Sequence, residues 1–123
     1  MFVTEKLKTF SWVNVGNPDH NDFEKLRTEY KIDEDNILDI LDPDEQPRLE
    51  IEDDYKVIIV RFPIINRETD TVWHTEPLSI IYSSNRVITV CRKRCDLLDK
   101  IKKSEKTSRE EFILNIIYYI AES

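Results

Sequence analysis

The chain has 123 residues, the size of one globular domain, and 40% of them are apolar, which is enough to fill a core. It has 25 acidic and 18 basic residues, a net charge of −7, which argues against nucleic acid or an anionic lipid surface as a partner. The single glycine, Gly16, excludes a glycine-rich phosphate-binding loop. No apolar stretch approaches the roughly 20 residues of a membrane-spanning helix. No secretory signal is visible either, so we expect a cytosolic location.

The first third of the chain predicts one or two short strands followed by two helices. Apolar and polar residues alternate up to Gly16, as in strands. We expect Asn17 to cap the first helix, with Pro18 at its first position. Asp33 is the expected N-cap of a shorter second helix. That helix has to end before Pro43, because a residue that precedes proline is pushed out of the helical region.

The middle of the chain predicts an antiparallel meander of three or four strands. Residues 55–62 form a nearly continuous β-branched and apolar run, which is typical of a central strand. We expect Pro63 to end this strand or to place it at an edge, and Pro77 to interrupt or bulge the strand over 72–82. Residues 87–91 complete another arm of a hairpin.

The last third returns to a helical period, first around Leu98 and Ile101 and then after a capping box at 108–111. The final helix is apolar nearly all round and runs to the chain end. Such a helix has to be covered on several sides, so we expect the chain to be cut from a longer protein. The element order predicts an α+β fold. It would be a single layered α/β/α domain over residues 1–123, with a mixed, mostly antiparallel sheet flanked by helices.

No group of residues predicts catalysis, and we do not expect an enzyme. His20 and His74 lack the spacing of a metal-binding helix motif. A pair formed by Cys91 and His74 would consist of residues that any core can contain. Cys91 and Cys95 are interpreted as ordinary thiols, since two cysteines this close do not make a disulfide framework.

The charge is distributed unevenly along the chain. Residues 33–54 contain eleven carboxylates and one cation, Arg48, whereas residues 92–109 contain eight cations and three acids. Such polarity suits head-to-tail contact between copies or between domains. The plainer interpretation, that both runs are solvated surfaces, stays open.

The acidic run includes one stripe with a usable geometry. Asp35, Asp39 and Asp42 follow one another at i, i+4 and i+7 on the second helix, so their carboxylates should project from one side. Ile37, Ile40 and Leu41 should then point into the core. Like charges at this spacing repel, and Mg²⁺ prefers carboxylate oxygens while keeping several waters. The stripe therefore indicates either a magnesium site or a solubilising acidic face. A magnesium site requires that Asp39 is not sealed inside the fold against a basic side chain.

Several segments, in order along the whole chain, resemble the N-terminal cytosolic domain of CorA-like magnesium transporters. The segments that carry the resemblance are Trp12–Val15, Ile37–Asp42, Glu45–Glu50, Asp54–Val60, Pro77–Ile81 and Val87–Val90. The resemblance implies a homopentameric, membrane-embedded channel. Its stalk helix and two membrane helices would follow this chain, which would be the regulatory domain on the cytoplasmic side.

The resemblance also implies a role for individual residues. An aspartate at the position of Asp39 helps to bind magnesium between adjacent subunits, opposite an acidic residue of the neighbour's stalk. The family has a second acid immediately before that aspartate, and this chain has Leu38 at that position. Bound cations would favour the closed channel, and their loss would loosen the ring through carboxylate repulsion. Two other functions stay open: a zinc- or cobalt-transporting branch of the same superfamily, and a stand-alone cytosolic interaction module.

Overall fold

The computed structural model describes residues 1–66, 68–69, 71–93, 96–101, 103–104 and 106–121, without the side chains at 65–66, 71–73 and 96–97. The strands are β1 (Phe2–Lys6), β2 (Ser11–Gly16), β3 (Arg48–Ile51), β4 (Lys56–Asn66), β5 (Thr71–Ser83) and β6 (Arg86–Cys91). The helices are α1 (His20–Thr28), α2 (Glu34–Leu41), a 3₁₀ helix (Asp96–Lys100) and α3 (Arg109–Ala121).

The strands form one mixed sheet in the order β1-β2-β6-β5-β4-β3. The β2–β6 pair is parallel, and the other four pairs are antiparallel. Strands β4, β5 and β6 make the antiparallel meander, and β3 extends it at one edge. The α+β prediction of a mostly antiparallel sheet flanked by helices is confirmed.

Helices cover both faces of the sheet, because alternate residues of its strands point to opposite sides. On one face, Trp12, Phe62 and Leu78 pack with Leu98 of the 3₁₀ helix and Phe112 of α3. On the other face, strand residues pack against α1 and α2. This second core contains Val13, Val15, Val57, Ile59, Ile81, Ile88 and Val90 from the strands, and Leu26, Ile37 and Ile40 from the helices.

The N-cap of α1 is Asp19, so the prediction of Asn17 was wrong. The Asp22 backbone N–H donates to Asp19 Oδ1 at 2.8 Å, and the Asp19 backbone N–H donates to Asp22 Oδ2 at 3.1 Å. These two bonds form a reciprocal capping box. Asn17 instead has a φ of 45°, and its N–H donates to the Cys91 carbonyl. Asn17 therefore lies in the turn out of β2, and the helix begins at His20, two residues after Pro18, its predicted first position.

Pro77 does not interrupt or bulge its strand, and Pro63 does not end β4 but lies where that strand has no neighbour on one side, as the edge alternative predicted. β4 continues through Pro63, which pairs with Thr75, and β5 passes Pro77, which pairs with Arg61. β6 pairs with β5 from Leu78 onward, so Pro77 lies just outside that ladder. Similarly, β3 pairs with β4 only up to Ile59. Each proline thus has a paired strand on only one side, so its missing N–H does not remove a hydrogen bond to a second strand.

The C-terminal elements agree in part with the prediction. The segment around Leu98 forms a 3₁₀ helix. Ser108 caps α3 by accepting a hydrogen bond from the Glu111 backbone N–H at 3.1 Å. Cys91 has no exposed surface, and Cys95 lies outside the described residues.

The acidic run lies at one edge of the sheet, whereas the cations of the basic run lie at several places around it. β3 and α2 carry the acidic run at one edge. From the basic run, Lys103 Nζ lies 3.2 Å from Glu5 on β1, the other edge strand, and above the Trp12 ring. Lys103 is thus separated from the acidic surface at β3 by the width of the sheet, whereas Lys93 lies 3.7 Å from Glu76 on β5 and Arg109 donates to the Ser83 carbonyl at the end of β5.

We expect Asp19→Ala to lower the free energy of unfolding by about 1 kcal/mol, because it removes the side-chain acceptor of the α1 capping box. Asn17→Gly is the matched control and should leave the stability unchanged or slightly higher, since glycine adopts a positive φ without strain. Urea unfolding of the two variants measures both effects. A larger loss in Asn17→Gly than in Asp19→Ala would contradict the capping assignment.

Candidate metal-binding site

The candidate site lies where helix α2 crosses the inner face of edge strand β3. Arg48 and Glu50 of β3 pair with Ile59 and Val57 of β4, whose side chains belong to the core beneath α2. The charged side chains of β3 therefore face α2. The alternate residue Leu49 lies on the other face and is 59% exposed. An edge strand with inward charges is a common protection against pairing with another sheet.

The geometry of α2 differs from the predicted stripe in two places. Ile37 and Ile40 are buried as expected, but Leu41 is 44% exposed, so its prediction as a core residue was wrong. The helix ends at Leu41, and Asp42 is an extended C-cap with φ −86° and ψ 112°. Asp42 therefore does not continue the helical stripe. Pro43 accounts for this, since the residue before a proline avoids helical angles.

Arg48 holds three carboxylates from three segments of the chain. Its guanidinium forms ion pairs with Asp39 of α2, Glu45 of the α2–β3 loop and Glu50 of β3. Asp39, Arg48 and Glu50 are each about one-third exposed, whereas the Glu45 side chain is 10% exposed. With one cation and three anions, this Arg48 cluster has a formal charge of −2.

The loop that carries Glu45 is fixed from the sheet by a second arginine. Arg61 of β4 donates through Nη1 to the carbonyls of Pro43 and Glu45, at 3.1 and 2.9 Å. The same side chain donates to the Thr75 carbonyl and hydroxyl on β5. These bonds place the Glu45 carboxylate beside Arg48 without using a second cation in the cluster.

Glu50 is positioned by a chain of hydrogen bonds from the start of α2. The buried Asn36 side chain donates through Nδ2 to Glu50 Oε2 at 2.8 Å. Its Oδ1 accepts from the Tyr55 hydroxyl at 2.6 Å, and that hydroxyl accepts from the Asp33 N–H at 2.9 Å. Burial raises the pKa of Tyr55 to about 12, so its phenol remains a donor at neutral pH. The Asp33 side chain makes no capping hydrogen bond, although Asp33 is the N-cap of α2 as predicted, and its N–H donates instead to Tyr55, just before β4.

The acidic character extends along β3 towards the N-terminus of α2. The pKa of Glu52 is raised, first by desolvation and then by the negative charges of Asp33, Glu50, Asp53 and Asp35. This part of the surface has a negative potential that favours a cation.

The structure places the three predicted ligands in different surroundings. Asp35 and Asp42 are exposed, and Asp42 Oδ1 accepts a hydrogen bond from the Asp44 N–H at 2.9 Å. Asp39 is paired with a basic side chain, Arg48, but it is not sealed inside the fold, because about one-third of its side chain is exposed. Within the described residues, no three His, Cys, Asp or Glu side chains are arranged to hold a metal ion. The predicted ligands do not converge on a single point of this chain.

Sequence reasoning missed Glu45 and Glu50 as members of the cluster. The alternation of Arg48 and Glu50 with Leu49 in β3 contained a signal, because it puts both charges on one face. That this face meets α2 depends on tertiary packing.

The sequence profile of the family described as CorA-like Mg²⁺ transporter protein matches residues 8–123. The chain therefore belongs to this family. A comparison with curated proteins finds no match.

Solved structures share the fold. The complete CorA magnesium transporter from Methanocaldococcus jannaschii has a TM-score of 0.77 at 19% identity, over 94% of this chain and 38% of that chain. The soluble domain of CorA from the same organism gives 0.77 at 20% identity, over 94% and 48%. The ZntB cytoplasmic domain from Vibrio parahaemolyticus gives 0.74 at 14% identity, over 94% and 49%. The chain spans less than half the length of each of these structures. Among its described residues, no helix has both the length and the hydrophobicity to cross a bilayer.

We expect Tyr55→Phe to lower the free energy of unfolding by about 1–3 kcal/mol, because it leaves the buried Asn36 carbonyl without its donor. Tyr118→Phe is the control, since Tyr118 is 67% exposed. It should change the stability by less than about 0.5 kcal/mol. Urea unfolding measures both effects. Equal losses of stability in the two variants would contradict the role of the Tyr55 hydroxyl in positioning Asn36.

The raised pKa of Tyr55 also predicts how stability depends on pH. The unfolded phenol ionises near its ordinary value of 10.0, whereas the folded one keeps its proton up to about 12. Its contribution is therefore fully present below pH 10 and is lost as the pH rises towards 12. Between these values, the unfolding free energy of Tyr55→Phe should fall less steeply than that of the original chain. Parallel slopes would contradict the assignment.

Proposed function

We propose that this chain is the cytosolic, divalent-cation-sensing domain of a magnesium transporter. In this proposal, residues 1–123 form the N-terminal domain of a longer protein, on the cytoplasmic side of the membrane. A stalk helix and membrane helices would follow it, and five copies would assemble around a pore. The family match over residues 8–123 and the greater length of the similar structures support this organisation. No catalytic role is proposed.

The observation that carries the sensing role is the formal charge of −2 left on the Arg48 cluster, at a partly exposed face of the fold. Mg²⁺ is a hard cation that prefers carboxylate oxygens and retains much of its water. Asp39 is the proposed ligand at this face, with Asp35 and Asp42 adding negative charge on either side. Since these carboxylates are spread out, a neighbouring copy would have to complete the coordination.

The proposed mechanism is a shift between two arrangements of the ring. A cation that bridges carboxylates of adjacent copies stabilises the arrangement with the copies close together, which we assign to the closed channel. When the ion dissociates, the carboxylates repel each other and the ring loosens. A millimolar site is worth only about −4 kcal/mol of binding free energy, so several sites have to act together. This weak binding suits a sensor of millimolar magnesium.

A second candidate is a zinc transporter of the same fold. The similarity to the ZntB cytoplasmic domain supports this second candidate, because its TM-score and the share of this chain that it covers nearly equal those of the CorA soluble domain. Carboxylates without cysteine or histidine ligands fit Mg²⁺ better than Zn²⁺. Reading the rest of the gene for two apolar stretches of about 20 residues separates both transporters from a stand-alone interaction module.

We expect Asp39→Asn to weaken magnesium sensing in the full-length protein. Protection against chymotrypsin, titrated with Mg²⁺, gives a midpoint concentration for each variant. This midpoint should rise by about tenfold, which corresponds to about 1.4 kcal/mol of lost binding free energy.

The matched control is Asp99→Asn, which removes the same charge from the exposed surface of the 3₁₀ helix and should leave the midpoint unchanged. A titration of Asp39→Asn that overlays that of the unmodified protein would exclude Asp39 as a sensing ligand. Replacing Mg²⁺ by Zn²⁺ in the same assay tests the second candidate.

A further inference from the structure

We propose that Arg48 is a built-in competitor of the divalent cation, and that its charge sets the concentration at which the cation binds at Asp39. This inference rests on the proposed function and adds its regulation by a residue of the same chain. Arg48 is the only cation in residues 33–54, and its guanidinium lies among Asp39, Glu45 and Glu50. It thus occupies the position in this cluster where positive charge is most strongly stabilised.

Arg48 makes one directed hydrogen bond, from Nη2 to Asp39 Oδ2, and leaves another of its donors unused. Its Nε atom is buried and, among the described residues, has no hydrogen-bond partner, although Glu50 Oε1 lies 2.9 Å away. A small rotation of the guanidinium towards Glu50 would turn this Nε contact into a directed hydrogen bond, which would offset the loss of the bond to Asp39. The Arg48 side chain is also about one-third exposed. Arg48 can therefore retreat from Asp39 towards Glu45 and Glu50 when a second cation arrives.

The fixed partners of the cluster favour such a retreat. Glu45 is held through the bonds of Arg61 to its loop, and Glu50 through Asn36. Asp39 has Arg48 as the one hydrogen-bonding side chain recorded for it in the described part of the chain. Two carboxylates are thus anchored beside Arg48 from within the fold, while the third is available for exchange. Asp39 can change its counter-ion without disturbing either anchor.

Electrostatics determines the sign of the effect. A unit charge within a few ångströms of a divalent ion opposes its binding, and the repulsion in water corresponds to about a tenfold or larger change in affinity. With Arg48 present, the cluster has a charge of −2, and without it the charge would be −3. Arg48 therefore keeps the affinity low, which allows the site to release its ion when the concentration falls.

The test is the magnesium midpoint of the full-length protein with Arg48→Gln, measured as protection against chymotrypsin, which does not cleave at arginine. We expect the midpoint to fall by about tenfold, because the competing charge is removed. Arg48→Lys keeps the charge and should stay within about twofold of the original midpoint. The double variant Arg48→Gln with Asp39→Asn should not show the lowered midpoint of Arg48→Gln, because the added magnesium affinity acts through Asp39.

A purely structural role of Arg48 predicts the opposite sign, since a disordered cluster binds the ion more weakly. The rise in melting temperature produced by Mg²⁺ is the second measurement, and it should be larger for Arg48→Gln than for the unmodified protein. If the magnesium midpoint of Arg48→Gln is unchanged or raised, Arg48 does not compete with the ion. If the midpoint of Asp39→Asn is raised in the same experiment, the proposed function still holds. If Asp39→Asn also has no effect, the proposed function fails and the competitor fails with it.

Discussion

The placement of charge on the inner face of an edge strand is the constraint on which this end of the molecule depends. The core beneath α2 fixes the register of β3 against β4, and that register turns Arg48 and Glu50 towards the helix. Half-buried carboxylates are costly unless they are paired. The Arg48 guanidinium pairs with one carboxylate from α2, one from the following loop and one from β3. The same arrangement joins three segments and leaves net negative charge at the surface.

The residues around the cluster divide into those that fix the fold and those that face solvent. Arg61, Asn36 and Tyr55 connect the loop and strand carboxylates to the sheet and to the start of α2. Asp39, by contrast, has Arg48 as its hydrogen-bonding side chain in the described part of the chain, so moving it breaks fewer bonds. A site built in this way can respond to an ion while its surroundings stay rigid. Weak sites can drive a large change only when many act together. Each proposed site therefore has to respond to the ion without disturbing the fold around it.

The charges at the two edge strands of the sheet fit the proposed assembly. The acidic surface lies at the β3 edge, and Lys103 lies near the β1 edge. In a ring of identical copies, opposite edges of neighbouring molecules can approach one another, so complementary charge would favour a head-to-tail arrangement.

The sequence by itself determined the layered α+β fold, the family resemblance, the end of α2 before Pro43 and the acidic character of residues 33–54. These features depend on local pattern: side-chain periodicity, proline sterics and composition. Only the tertiary structure decided that Asp19 rather than Asn17 caps α1, that Asp42 leaves the helix, and that Arg48 contacts Asp39. The contact between Arg48 and Asp39 joins a strand to a helix, and its geometry follows from how the two elements pack on the core. Packing of this kind depends on the whole sheet, so no local pattern around Asp39 contains it.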